Sequence, residues 1–471
     1  MRDALPLFAD TTNNLFEPVA VVGLFGTYFF FGAPLLHVVS DYWFTWLPWT
    51  PKDIPADWRP WLGAMALLNI AGLCVYKMTC RWFVRMSLRR RPPLPRVLDR
   101  RSIAVYAVPF LALTAAIQVY VYYRLGGLTG FVASFSRNRN GQASEFEGLG
   151  SMFVLGAGFP AIVAIVGMTL FKRHCVKLGP LGLAAATGVM FGLVLIFGGL
   201  YGSRGNTVFS IILILGMYHL TVKPLSKRWL LGAAVCGMAF MYVYGFYKAN
   251  PFLFTQPAEL LRVLSSSDSR SDLEQHSRRT GTGVLLGDLG RSDVQAFLLY
   301  RMMEDAASIE YANGRTYTDG AINFIPNRII GYRPPGKLKY GTNVVYGAGT
   351  YSPTRQSVQI YGLAGEMMLN FGVATAPLSF VLLGAAVAYA RTLMLRLPRG
   401  DPWRYLIPIV SIGCVVVLGC DLDNVIFFLI QHALVPFIFI GLCSVRLPGR
   451  YARPNLACRP LVAVNSVRAS V

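Results

Sequence analysis

Residues 151–173 read SMFVLGAGFPAIVAIVGMTLFKR. The first 21 of them carry no charge, and Lys172 and Arg173 follow at once. Crossing about 30 Å of hydrocarbon takes roughly 20 helical residues, so this stretch reads as a membrane span with a basic end. Segments of the same character occur at 18–39, 61–80, 102–124, 181–200, 206–222, 229–247, 371–391, 405–420 and 425–445. One such run could be a buried core helix of a soluble protein; ten could not. The expected fold is an all-α polytopic membrane protein with about ten transmembrane helices.

The composition agrees. Hydrophobic residues make up 54% of the 471 and charged residues 14%, against about 25% in an average soluble chain. The net charge of +21 would suggest nucleic acid on a soluble protein, but a membrane protein gathers Lys and Arg in its cytoplasmic loops. No zinc-ligand or RNA-binding pattern accompanies it, so nucleic acid is not an expected partner and the lipid bilayer is. Residues 1–17 are polar and show no cleavage site after a short apolar stretch, so the first span is expected to be retained.

Basic residues orient the spans. Arg2, the run from Arg81 to Arg101, Lys172 to Lys177, Lys223 to Arg228, Arg391 to Arg404 and the tail from Arg446 onward fall on one side and hold 24 Lys and Arg. The short loops on the other side hold five: Lys52, Arg59, Arg137, Arg139 and Arg204. The alternation stays in phase across all ten spans, which predicts cytoplasmic N- and C-termini. The chain then divides into spans one to seven (1–247), a large extracytoplasmic loop (248–356), spans eight to ten (357–445) and a basic cytoplasmic tail (446–471). The eight cysteines lie in spans, at their ends or in cytoplasmic stretches, and none in the long outer loop, so neither a disulfide framework nor a thiolate metal site is expected.

A connection as long as 248–356 is usually functional. Ser265 to Asp293 is rich in Ser, Asp, Arg and Gly and reads as mobile. Gln295 to Tyr311 reads as an amphipathic helix, and GRTYTDGAINFIPNRIIGYRPPGKLKYG (314–341) as an ordered loop punctuated by Gly and Pro. Ser357 to Asn370 reads as a helix leading into the eighth span.

The outer side also gathers polar residues suited to an anion. In Tyr201-Gly-Ser-Arg-Gly-Asn206, two glycines permit a tight turn that presents Arg204 among free backbone amides. Guanidinium and amides together suit a phosphate or diphosphate, although an Arg at this depth can equally snorkel to lipid headgroups. Arg137 and Arg139 could clamp an anion or belong to a solvated loop. Arg328, Arg333, Lys337, Lys339 and Arg355, interleaved with Tyr332, Tyr340, Tyr346 and Tyr351, suit a sugar carried on a phosphate, or an anionic lipid surface. Glu366 and Asn370 share one helix face in the apolar run GLAGEMMLNFG; there Glu366 either pairs with a nearby basic residue or serves as a general base. Asp421, Asp423 and Asn424 form a short outer turn. His432, beside Gln431 in the last span, reads as packed and hydrogen-bonded rather than catalytic.

Four of these features, in this order and on this side, resemble the Wzy-type polymerases of bacterial O-antigen and capsular polysaccharide. They are Gly126-Gly127-Leu128 ahead of Arg137 and Arg139; GSRG at 202–205; GRTYTDGAINFIPNRI at 314–329; and Gly365-Glu366 followed by Leu369-Asn370-Phe371-Gly372. The polar insert at 265–293 departs from the family pattern. The resemblance implies a metal-independent, GT-C-like glycosyltransferase in the bacterial cytoplasmic (inner) membrane, active on the outer face. It would take polyprenyl-diphosphate-linked oligosaccharide repeat units and transfer the growing chain onto a new lipid-linked unit, with a chain-length regulator protein as an optional partner.

On this chain Arg204, Arg137, Arg139, Arg328 and Asn370 would hold diphosphate and sugar. Arg204 would stabilise the departing charge, and Glu366 would orient or deprotonate the acceptor hydroxyl. No cofactor or metal is expected: Asp41, Asp53 and Asp57 in the first outer loop form no adjacent acidic pair, and P-loop, GxSxG, HExxH and GxGxxG motifs do not occur. The rival readings are an O-antigen ligase, which shares donor and leaving group, and a transporter or flippase of lipid-linked sugars. The latter predicts charges deep in several spans, whereas Lys77 is the only Lys or Arg clearly within one.

Overall fold

The computed structural model describes residues 16–447 except 44–53, 90–92, 140–145, 147–148, 200–203, 250–257, 259–260, 263–264, 267–281, 326, 353–358 and 399. It is a bundle of helices. In chain order they are α1 (Pro18–Ser40), α2 (Arg59–Leu88), α3 (Arg100–Arg124), α4 (Gly127–Arg139), α5 (Gly150–Leu170), α6 (Pro180–Gly199), α7 (Arg204–Thr221) and α8 (Lys227–Ala249). The long connection then contributes α9 (Ser292–Glu304), α10 (Arg315–Ile322), α11 (Asn327–Ile330), α12 (Lys337–Tyr346) and α13 (Gly362–Phe371), before α14 (Val373–Arg396), α15 (Pro402–Gly419) and α16 (Leu422–Cys443).

Eight of these, α1, α2, α3, α5, α6, α14, α15 and α16, are long and apolar enough to cross a membrane, and α7 is a shorter apolar helix. The chain is a multi-pass membrane protein. All ten segments expected to span are helical, including 229–247 within α8.

α15 is the centre of the bundle: 78% of its apolar window is buried against protein, compared with 17% for α6 at the periphery. A helix apolar on every side suits either place, and neighbours decide which. Lipid is as apolar as leucine, so helix contact here depends on close packing rather than on escape from water. Small residues allow it. A Cβ on Gly72 of α2 would stand 2.3 Å from the Phe380 ring of α14, and one on Gly384 of α14 would stand 2.7 Å from Thr79 of α2.

A two-stranded antiparallel ladder, unexpected from the sequence, joins β1 (Arg96–Leu98) to β2 (Ser444–Arg446) with Arg96 opposite Arg446. Asp401, ahead of α15, accepts from the Arg96 amide at 3.2 Å. Tyr218 near the end of α7 donates to the Cys175 carbonyl at 2.9 Å, and Thr169 meets Tyr405 at 3.1 Å. These basic connections therefore share one end of the bundle. At the other end Trp61 packs on Tyr300 and Lys337 reaches Asp421.

Two loop expectations change. The amphipathic helix ends at Glu304 rather than Tyr311, and it is enclosed rather than half-solvated: Phe297, Leu298 and Met302 are buried, and so are Asp293 and Arg301. Its polar residues can be buried because they are bonded. Asp293 accepts from the Val294 amide, and Arg301 donates to the Val344 carbonyl and pairs with Asp305. The stretch 314–341 is mostly helical, as α10, α11 and the start of α12. Most of the 265–293 insert lies outside the described residues; its last part is a π-helical turn, Gly283–Gly290.

Candidate functional site

α13 forms because GLAGEMMLNF is apolar but for Glu366 and Asn370, and its ends are set by Gly362 (φ +72°) and Gly372 (φ +90°). The four-residue spacing puts both polar side chains on one face. That face meets the start of α10. The Ala312 and Asn313 amides donate to the Leu369 and Asn370 carbonyls (2.9 and 3.0 Å), covering the last turn of α13. The chain then turns through Asn313 (φ +47°) and Gly314 (φ +86°) into α10. Gly314 is the N-cap residue and has no side chain to cap with. Asn370 supplies the cap instead, its Oδ1 accepting from the Gly314 amide at 2.9 Å, while Nδ2 donates to Thr316 Oγ1 at 2.6 Å.

Thr316 donates to Glu366 Oε1 at 2.8 Å, and the second carboxyl oxygen accepts from the Leu422 amide at 2.7 Å. Leu422 opens α16, so Glu366 occupies the positive end of that helix dipole. The relation is reciprocal. Asp421, the residue before α16, accepts from the Tyr361 and Gly362 amides (3.0 and 2.7 Å) and so caps α13. Lys337, first residue of α12, bridges Asp421 (2.6 Å) and Asp423 (2.9 Å). Asp319 of α10 accepts from the Gly336 amide at 3.1 Å. Four helices from distant parts of the chain thus terminate on one another's side chains, with the orphan amides of each helix start met by a carboxylate or amide from a neighbour.

The electrostatics follow from enclosure. Glu366 is 3% exposed and Asp421 0%. Burial, and then the nearby Asp421 charge, push the Glu366 carboxyl up to about 8, against the pull of the Leu422 and Thr316 hydrogen bonds. Burial also raises Asp421, with Lys337 pulling it back. Burial alone would lower Lys337, but the two facing carboxylates outweigh it and hold its ammonium charged. Enclosure thus favours the protonated form of Glu366, while Lys337 stays charged between Asp421 and Asp423.

Two expectations are corrected here. Glu366 pairs with a hydroxyl and a backbone amide, not with a basic residue, and both its oxygens are engaged. Through these bonds it ties α10 and α16 to α13. Lys337 belongs to an internal ion pair rather than to an anion-binding surface; Arg333 is exposed, and Lys339 pairs with Glu310 and lies over the Tyr340 ring.

Thr316 was not singled out from the sequence, and Asp421 was read only as part of a short outer turn. Their signals were present, a Thr two residues after a helix-starting Gly and an Asp directly before a span, but their partners lie 50 and 84 positions away.

The arginines are placed by backbone only. Arg204 is the first residue of α7, after α6 has kinked at Phe197 and Gly198 (φ +139°). Arg137 and Arg139 are at the end of α4, which follows Gly126 (φ +80°) and opens on Gly127 (φ +81°); the expected loop is a helix there. Arg328 is in α11. Their side chains, and Arg355 altogether, lie outside the described residues. His432 packs on Phe428 (ring centroids 4.8 Å), but among the described residues its Nε2 has no hydrogen-bond partner, against the expectation of a bonded residue.

No family model matches the chain, and no curated protein or solved structure shows significant similarity to it.

Proposed function

We propose that this protein is an oligosaccharide repeat-unit polymerase, a glycosyltransferase that joins polyprenyl-diphosphate-linked units on the outer face of a bacterial cytoplasmic membrane. One observation carries the reading. Two of the segments that carry the resemblance, 314–329 and 365–372, are held together by the Thr316–Glu366 and Asn370–Gly314 bonds although some 50 residues separate them. In this reading Glu366 and Asn370 act by fixing α10, and with it Asn327 and Arg328 of α11, at the outer surface. Arg204, at the start of α7, and Arg137, Arg139 and Arg328 bind the diphosphate and take up its charge as it leaves. The ten-span arrangement with cytoplasmic termini is supported by the sharing of one bundle end by the basic connections and the opposite end by the long loop.

The test is mass spectrometry of lipid-linked oligosaccharides in a deletion strain, with the surface polysaccharide run on a gel. The expected result is single repeat units on lipid and no long polymer, restored by wild type but not by Arg204→Ala. Arg204→Lys keeps the charge but loses the forked geometry and is expected to restore little. Long polymer persisting on lipid would identify a ligase instead; unchanged pools would remove both readings.

A further inference from the structure

The basic end of the bundle holds a charge conflict. In the β1–β2 ladder Arg96 stands opposite Arg446, and like charges facing each other across a strand pair repel. Arg100 and Arg101 follow at once and open α3, where the helix dipole disfavours cations. Arg100, Arg101 and Arg446 are exposed and Arg96 is half-buried. Among the described residues none of these four guanidinium groups forms a salt bridge.

Two carboxylates are near, and both are committed to helix starts. Asp99 accepts from the Ser102 amide and hydroxyl (2.9 and 2.8 Å) and faces Arg101. Asp401 is buried and accepts from the Arg96 and Trp403 amides (3.2 and 2.9 Å). The adjoining sequence brings no other acid. Residues 81–101 hold eight arginines and Asp99, and residues 446–471 hold five arginines and neither Asp nor Glu. The neutralising charge has to come from outside the chain.

The surroundings select its source. The Arg96 guanidinium lies over the Trp403 ring (5.3 Å), and Trp403 packs edge-on against Phe437 of α16 (5.0 Å). Phe437 is 51% exposed within a membrane span, and Leu434 and Ile438 are exposed beside it, so this side of α16 faces lipid. A tryptophan next to such a face, near the end of a span, belongs to the layer where acyl chain gives way to head group. About 9 Å of helix separates Phe437 from Cys443, the last residue of α16, and β2 follows directly, which puts the arginines level with the phosphates. We infer that the β1–β2 ladder binds an anionic phospholipid, its phosphate at Arg96 and Arg446 within the field of Arg100 and Arg101, and its chains along the Phe437 side of α16. The site lies beyond the polymerase reading and shares no residue with it.

The test uses the full-length protein in phosphatidylcholine liposomes, photolabelled with phosphatidylglycerol carrying a diazirine on its head group and mapped by peptide mass spectrometry. Saturable labelling is expected within 94–101 and 443–447, displaced by unlabelled phosphatidylglycerol and not by phosphatidylcholine. Loss of one charge in Arg446→Gln should weaken it about fivefold, and Arg96→Gln in the same chain should bring the loss to about thirtyfold. Arg446→Lys keeps the charge and should label like wild type. Arg446→Gln also relieves the repulsion, so it should melt above wild type in phosphatidylcholine and gain less from added phosphatidylglycerol, a result that misfolding would not give. Labelling unchanged in both glutamine variants would overturn the site. So would an equal loss in Arg173→Gln with Lys177→Gln, on another basic connection, because the attraction would then be diffuse. Displacement by soluble glycerol phosphate or by poly-glutamate, but not by phosphatidylglycerol, would overturn the lipid as occupant.

Discussion

At the scale of single residues, Glu366 links enclosure to pH. Its carboxyl, raised from 4.5 to about 8, holds its proton in the folded protein after the unfolded chain has lost it. The folded state therefore binds more protons between those values, and the stabilisation present at low pH is lost as pH rises through about 8. Thermal melts of purified protein from pH 5 to 9 should fall with pH, and Glu366→Gln should flatten the slope. Burial shifts Asp421 in the same direction. Equal slopes in wild type and variant would mean that Glu366 carries no such proton.

The ion pair gives a second expectation at this scale. Lys337→Met leaves the buried Asp421 uncompensated and should cost roughly 3–5 kcal/mol. Adding Asp421→Asn removes the stranded charge and should recover part of it, which a double-mutant cycle in chemical denaturation would read as coupling. The spacing of Glu366 and Asn370 was legible in the sequence because an i, i+4 pair in an apolar helix stands out. That the pair caps α10 and α16 was not legible, since nothing local marks a partner 50 residues away.

At the scale of elements, α2 and α14 pack through glycine. A methyl group at Gly72 cannot fit beside Phe380 without displacing the ring, so Gly72→Ala should destabilise by about 1–3 kcal/mol. Phe380→Leu in the same chain should relieve part of this, measured as the detergent-solubilised melting midpoint. A Gly72→Ala variant as stable as wild type would show that the two helices can separate freely. Sequence periodicity located these helices, because a span must satisfy its backbone internally and so must be helical. It gave no warning of the β1–β2 ladder, whose strands lie more than 300 residues apart, and it read 295–311 as an amphipathic helix because the carbonyl that lets Arg301 be buried, that of Val344, lies 43 residues away.

At the scale of the molecule, the two ends differ in charge and content. Basic connections meet around the ladder, and the long loop folds over the other end. With native cysteines removed, Glu310→Cys should react with a membrane-impermeant maleimide added outside intact cells. Arg173→Cys should react only after permeabilisation. The reverse pattern would invert the protein, and equal reactivity from outside would break the alternation of spans between them.

The sequence by itself determined that the chain crosses a membrane, where most of its helices run and which connections are basic. Those properties follow from the length of apolar runs and the placement of charge, which are local and additive. Only the tertiary structure decided that Glu366 is buried with both oxygens bonded, that Lys337 is paired from within, and that Gln431 and His432 are buried with polar atoms unpartnered among the described residues. Each of those depends on what a distant segment brings to the residue, and burial and pairing are properties of the assembled neighbourhood rather than of the side chain.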